Sequence, residues 1–361
     1  MPVRFPVIDD RPTPLRTRAY GIALIGCGGI VNYAHLPAYA RHGLKIVGCY
    51  DLNRDAALST ATAHGIPRVY ESVDELLIDP EVTIVDIAVH PAAQPDLAVR
   101  CIGAGKHILC QKPLALNPIE ARRIVDSAAA MGAKAAVNQQ MRWSGGIAAA
   151  KQIIDRGFIG DLTDLQINVS VKTPWHMWPW LRDSDQLDVM FHSIHYIDAI
   201  RFLAGDPELV TSRHTKFPDQ PERAETKTVT VLDYESGCQA LIAVNHHDES
   251  GGVHAWFRVL GTEGVIEGDI GLLATYPEGG VDTIRARRGD EPEGEWHEPT
   301  LTTLWMPNAF IGPMASLINA IESGGTPLTN VADNLNTIRV VTAAYDSMAQ
   351  GRTIPLNSVP G

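Results

Sequence analysis

Residues 20–39 read YGIALIGCGGIVNYAHLPAY. A short apolar run stops at glycines and a segment of helical spacing follows, which predicts a strand, a tight turn and a helix. In that arrangement free N–H groups and the positive end of a helix dipole face a pyrophosphate. Gly26 permits the turn and Gly28 lets backbone approach phosphate, while Gly29 adds room before Ile30. Val31 stands where the third glycine of G-x-G-x-x-G belongs, so the fingerprint is incomplete and needs support from what surrounds it.

The next apolar run, LKIVGCYD (44–51), supplies that support by ending at Asp51. An acid there accepts hydrogen bonds from the adenosine ribose hydroxyls and repels a 2′-phosphate, favouring NAD; NADP would call on Arg54 instead. Asp51 could also serve as no more than a cap for the helix over 53–64. Further runs at 83–89, 107–110 and 133–138 alternate with helical segments at 93–104 and 117–131. Continuous apolar strands separated by helices predict a parallel sheet covered on both faces.

Beyond residue 145 the pattern changes. A helix ends near Gly157–Gly160, 161–172 alternates as a strand, and 186–203 has helical spacing. Period-2 runs at 208–216, 226–234, 238–245, 253–260, 263–268 and 281–288 predict a large, mostly antiparallel sheet with one open face. Helices at 308–323 and 331–350 close the chain. The expected division is a proline-rich arm (1–18), a dinucleotide-binding domain (19–145) and a second α/β domain (146–361), whose last helix can pack back on the first.

Composition narrows the partners. The 361 residues carry 30 Lys plus Arg against 42 Asp plus Glu, a net −12 with no basic run, which argues against nucleic acid. No apolar stretch reaches membrane-spanning length, and the N-terminus lacks a signal-peptide core. Five cysteines, odd in number and without CxxC spacing, suggest neither a disulfide framework nor a zinc site; a cytoplasmic protein is expected. The open sheet face needs a cover, and a homodimer or homotetramer is the economical one.

The chain resembles the Gfo/Idh/MocA family of sugar and cyclitol oxidoreductases from about residue 19 to 354. The likeness rests on the stretch quoted above, DLNRDAALSTATAHGIPRVYESVDELL, AGKHILCQKPLA, NQQMRW, HSIHYIDAIRFLAG, LGTEGVIEG and VADNLNTIRVVTAAYDSMAQGRTIPL. It implies a Rossmann domain followed by an α/β domain with a large open sheet. The family's Glu-Lys-Pro motif maps to Gln111-Lys112-Pro113, which implies that Lys112 lies between nicotinamide and substrate, where an ammonium holds the reacting oxygen. Its D-x-x-x-H-x-x-D pattern maps the catalytic histidine to His195, a residue type suited to taking the carbinol proton near neutrality. The family aspartate is replaced by Phe191. Asp188 and His192 share the helical face of His195 and are expected as polar substrate contacts; with His195 they also have a spacing that can hold a metal, which this chemistry does not need, so none is expected.

On the cofactor side, His90 and Gln111 follow strand ends and are expected near NAD. Arg142, in NQQMRW, is expected to touch substrate. The aromatic segment KTPWHMWPWLRD (172–183) offers Trp175 and Trp178 as flat faces for a sugar ring, or as a plug for the loop. The expected activity is hydride transfer between a secondary alcohol of a sugar, sugar derivative or cyclitol and NAD. Two alternatives remain: glycoside cleavage by transient oxidation and elimination, and a non-catalytic dinucleotide- or sugar-sensing regulator.

Overall fold

A computed structural model describes residues 4–274, 279–292 and 295–361. The chain divides into two compact units, each interrupted in sequence. Pro12–Gln140 and Met306–Ile338 make one; Met141–Trp305, Arg339–Pro360 and the described residues through Arg11 make the other. Neither the arm nor the C-terminal region therefore stays whole, unlike in the three-part division read from sequence.

The first unit holds a five-stranded parallel sheet of β1 (Gly21–Ile25), β2 (Lys45–Tyr50), β3 (Ile84–Ile87), β4 (His107–Cys110) and β5 (Ala135–Val137), in the order β2-β1-β3-β4-β5. Every residue of β1 and β3 is buried, which is why β1 reads as an unbroken apolar run and β3 as one interrupted only by Asp86. β1 has β2 on one side and β3 on the other, so the order reverses there and a crevice opens at their C-terminal ends. A π-helical turn (Val31–His35) leads from the glycines into α1 (Leu36–Arg41) where a plain helix was expected; Pro37 has no N–H to give to the preceding turn. Then come α2 (Arg54–His64), α3 (Val73–Ile78), α4 (Gln94–Gly103) and α5 (Pro118–Met131). Asn53, Ser72 and Asn117 cap α2, α3 and α5 through side-chain oxygens. The short α3 escaped the sequence reading, and its signal was the cap: Ser72 Oγ accepts the Glu75 N–H while Glu75 accepts the Glu71 N–H. The helix α8 (Ile311–Ser323) packs its apolar face against β4 and β5, which brings Met306–Ile338 into this unit.

The second unit is built on eight strands, ordered β12-β11-β10-β6-β9-β8-β7-β13. These are β6 (Leu162–Ser170), β7 (Leu209–Thr215), β8 (Lys227–Asp233), β9 (Gln239–Asn245), β10 (His254–Gly261), β11 (Gly264–Asp269), β12 (Arg285–Arg288) and β13 (Ile354–Pro355). Among its described strands β6 and β9 pair in parallel and the other pairs are antiparallel. Leu165, Ile167, Ala240, Ile242, Phe257 and Val259 are buried while their neighbours Gln166, Asn168, Leu241 and Arg258 are half-exposed, so one face stays open as the alternation predicted. The expected strand over 281–288 is shorter. Asp282 turns inward to accept the N–H groups of Gly146 and Gly271, and regular pairing begins only at Arg285. The helices α6 (Gly145–Asp155) and α7 (Ile194–Ala204) lie in this unit, and α7 covers β6 and β9. The final helix α9 (Val331–Gln350) contributes to both units, dividing after Ile338. Part of the N-terminal arm is strapped down: Asp9 exchanges hydrogen bonds with Gln152, and Asp10 accepts from Thr302 and Thr303.

Candidate active site

Gly26 has φ +100°, and a Cβ there would stand 2.2 Å from the Ala88 carbonyl oxygen, so only glycine fits between β1 and β3. Gly28 and Gly29 are exposed, and a Cβ on Gly28 would meet nothing within 4 Å. The backbone there is open to a phosphate. Ile30 closes the turn half-buried. Asp51, at the end of β2, is drawn to the same turn: Oδ2 accepts the Cys27 N–H at 2.7 Å and Oδ1 the Asn53 N–H at 2.7 Å. An open glycine cradle with a carboxylate beside it fits the pyrophosphate and ribose of a dinucleotide. Arg54 is turned to Glu71 at 2.5 Å, which neutralises the cation a 2′-phosphate would need. His90 is exposed beyond β3, its Nδ1 accepting the Ala92 N–H at 3.2 Å.

Lys112 follows β4 directly. Its N–H donates to Gln111 Oε1 at 2.7 Å, and Gln94 Nε2 donates to the carbonyls of Gln111, Pro113 and Leu114. The main chain on both sides of the lysine is thus tied down. Loss of water around the ammonium pushes its pKa down to about 8. The sequence reading does not reach Gln94, nor His35, which faces Gln111, nor Asp86, which meets His35 from its other side. His35 lay in the quoted HLPAY stretch, but its partners are far away in sequence.

In the other unit, the expected helix over 186–203 opens with a π-helical turn, Val189–Ser193, before α7. Buried side chains hold it. Glu225 Oε1 accepts the N–H groups of Leu187 and Val189 and the Tyr345 hydroxyl, and that hydroxyl receives the Met190 N–H. Burial raises the Glu225 carboxyl pKa. The turn changes which residues share a face. Asp188 and His192 converge on His246: Asp188 Oδ1 lies 2.7 Å from His246 Nε2, and the His192 and His246 rings are 4.6 Å apart. His195 lies instead against Trp305, ring centroids 6.2 Å apart. Among the described residues no group of three His, Cys, Asp or Glu side chains has the geometry to hold a metal ion.

Two of the expected substrate contacts are buried and paired. Arg142 is buried and gives Nε and Nη2 to the carboxylate of Asp198 at 2.7 and 2.8 Å, a bidentate pair that turns its fork inward. Asp188 is also fully buried, its oxygens receiving Ser193, Thr228 and His246, so it stands behind His246. Trp175 is buried against His192 and His246, with centroids at 5.4 and 4.9 Å. Trp178 is half-buried beside it, and Phe191 packs on Trp180. The aromatic segment therefore packs on the π-helical turn.

Fold and glycine cradle define an NAD-binding oxidoreductase. The model of an oxidoreductase family with an NAD-binding Rossmann fold matches residues 20–139, and the C-terminal domain model of the same family matches 147–267. The chain belongs to the Gfo/Idh/MocA family. It is 27% identical to a D-apiose dehydrogenase of Paraburkholderia graminis, covering 93% of this chain and 90% of that one. It is 26% identical to a 1,5-anhydro-D-fructose reductase of Ensifer adhaerens, covering 93% and 98%. The crystal structure of an oxidoreductase from Agrobacterium radiobacter in complex with NAD+, L-tartaric acid and magnesium superposes with a TM-score of 0.83 over 94% of this chain and 99% of that one, at 23% identity. NAD is the cofactor. No described helix is long and apolar enough to cross a membrane.

Proposed function

We propose that the protein oxidises or reduces one secondary alcohol of a sugar, sugar derivative or cyclitol. When bound, the cofactor would accept the hydride in oxidation as NAD and donate it in reduction as NADH. The chain holds and moves charge around it. Asp51 receives the ribose hydroxyls and the Gly28–Gly29 backbone receives the pyrophosphate. Lys112 donates to the reacting oxygen and stabilises alkoxide character as it develops. His195 takes the carbinol proton in oxidation and returns it in reduction. Trp178 offers an aromatic face to ring C–H groups, with Trp175 supporting it.

The observation that carries this reading is Lys112 itself, tied down on both sides of its main chain with its ammonium pKa lowered to about 8. Relatives named for apiose and anhydrofructose support the substrate class. The test is Lys112→Ala with a panel of aldoses and cyclitols. Turnover should vanish while NADH still binds, as read by tryptophan quenching; unchanged turnover sinks the assignment.

A second assignment of the proton carrier has its own support. Asp188 and His192 satisfy the family's D-x-x-x-H spacing, and they meet at His246. His192 is the residue to compare with His195.

A further inference from the structure

His35 joins four segments of the first unit and is 1% exposed. Its Nδ1 lies 2.7 Å from Asp86 Oδ2 on β3, and the Tyr39 hydroxyl donates to that same oxygen at 2.7 Å. Its Nε2 faces two amide nitrogens: Gln111 Nε2 beyond β4 at 3.1 Å and Asn138 Nδ2 beyond β5 at 3.0 Å. The Gln111 amide has one orientation open to it. Its oxygen receives the Lys112 N–H, so its NH2 group points at the imidazole. An NH2 donor requires a lone pair, and Nε2 is therefore bare. The single ring proton sits on Nδ1, where the Asp86 carboxylate accepts it.

We infer that His35 is a positioning residue for Lys112: Asp86 holds it as the Nδ1–H tautomer, its bare Nε2 orients the Gln111 amide, and the amide oxygen fixes the Lys112 main chain. This rests on Lys112 being the group that meets the reacting oxygen. It also explains the glutamine at position 111. A carboxylate at 111 would set oxygen lone pairs against the bare Nε2, and the mismatch resolves only if His35 takes a second proton or the side chain swings away. Glutamine matches both neighbours at once, accepting from Lys112 and donating to His35.

The test is made on the NADH-bound protein, labelled with 15N in histidine and assigned by couplings from the His35 backbone. A protonated Nδ1 and a pyridine-like Nε2 are expected; the opposite tautomer or an imidazolium overturns the inference. Gln111→Glu should lower kcat by about tenfold or more through displacement of Lys112, with a second proton appearing on His35. If that variant leaves both the ring spectrum and kcat unchanged, the inference fails. Should it not fold, the spectrum of the unaltered protein still decides. Turnover surviving in Lys112→Ala would defeat the functional reading while leaving the His35 spectrum as expected, so the two failures are separable.

Discussion

Asp188 and His246 form a fully buried carboxylate–imidazole pair, Oδ1 to Nε2 at 2.7 Å, between residues 58 apart in sequence. Ser193 donates to both Asp188 oxygens, Thr228 donates to one, and Thr173 meets His246 Nδ1 at 2.7 Å. The pair fastens the π-helical turn to β8 and to the end of β9. Removing one member leaves the other buried without its partner. Asp188→Ala should cost about 1–3 kcal/mol, the range for leaving a buried polar group without its partner. Urea unfolding measures it, and a loss below about 1 kcal/mol would contradict the pairing. In the double variant with His246→Ala the two losses should not add.

His192 and His195 separate by their neighbours. His192 lies on His246 and Trp175, so His192→Asn should disturb packing and raise KM. His195→Asn should lower kcat by roughly a hundredfold or more, chiefly for oxidation at neutral pH, as expected for loss of a general base. The reverse order of effects would move the proton carrier to His192.

These contacts also mark what the sequence made legible. β8, β9 and β10 alternate because one face is buried, and β1 and β4 run apolar to a glycine or a polar end because both faces are covered; such patterns lie within a few residues. The glycine turn and Asp51 were legible for the same reason. What escaped depends on long-range pairing. Nothing near Arg142 in sequence announces its pairing with Asp198, 56 residues away. His35 and Asp86 read as ordinary helix and strand residues, and nothing local announces that they meet. The two π-helical turns escaped as well, because one extra residue shifts the helical face without changing composition.

Lys112 links activity and stability to pH. With its pKa at about 8, the ammonium that Proposed chemistry requires is lost above that point. The kcat/KM for oxidation should acquire a falling limb there, set against the rise as the histidine base deprotonates. Lys112→Arg keeps its charge and should remove the falling limb while lowering the rate, since a guanidinium cannot occupy an ammonium's place. A falling limb at the same pH in that variant would assign it elsewhere. For stability, the folded pKa lies below the unfolded value of about 10.4, so the unfolded chain binds the extra proton between them. The penalty for burying this charge is therefore full below about pH 8 and fades as pH rises toward 10. Lys112→Met should raise the urea midpoint at neutral pH, and the gain should shrink across that window.

Cofactor choice turns on Asp51 and Arg54, which point to different partners. Asp51 faces the glycine turn through the Cys27 N–H, whereas Arg54 is held by Glu71. Asp51→Ala removes both the acceptor for the ribose hydroxyls and the charge that repels a 2′-phosphate. NADH should bind about tenfold more weakly, the loss expected for one or two charged hydrogen bonds, while NADPH should lose less or gain. Arg54→Ala should leave NADH affinity unchanged, because its charge is already spent on Glu71. Titration with both nucleotides, read by tryptophan quenching, measures all four affinities. If Arg54→Ala selectively weakens NADPH in a protein that prefers it, the arginine rather than the aspartate sets the choice, and the preference for NAD argued from Asp51 is wrong.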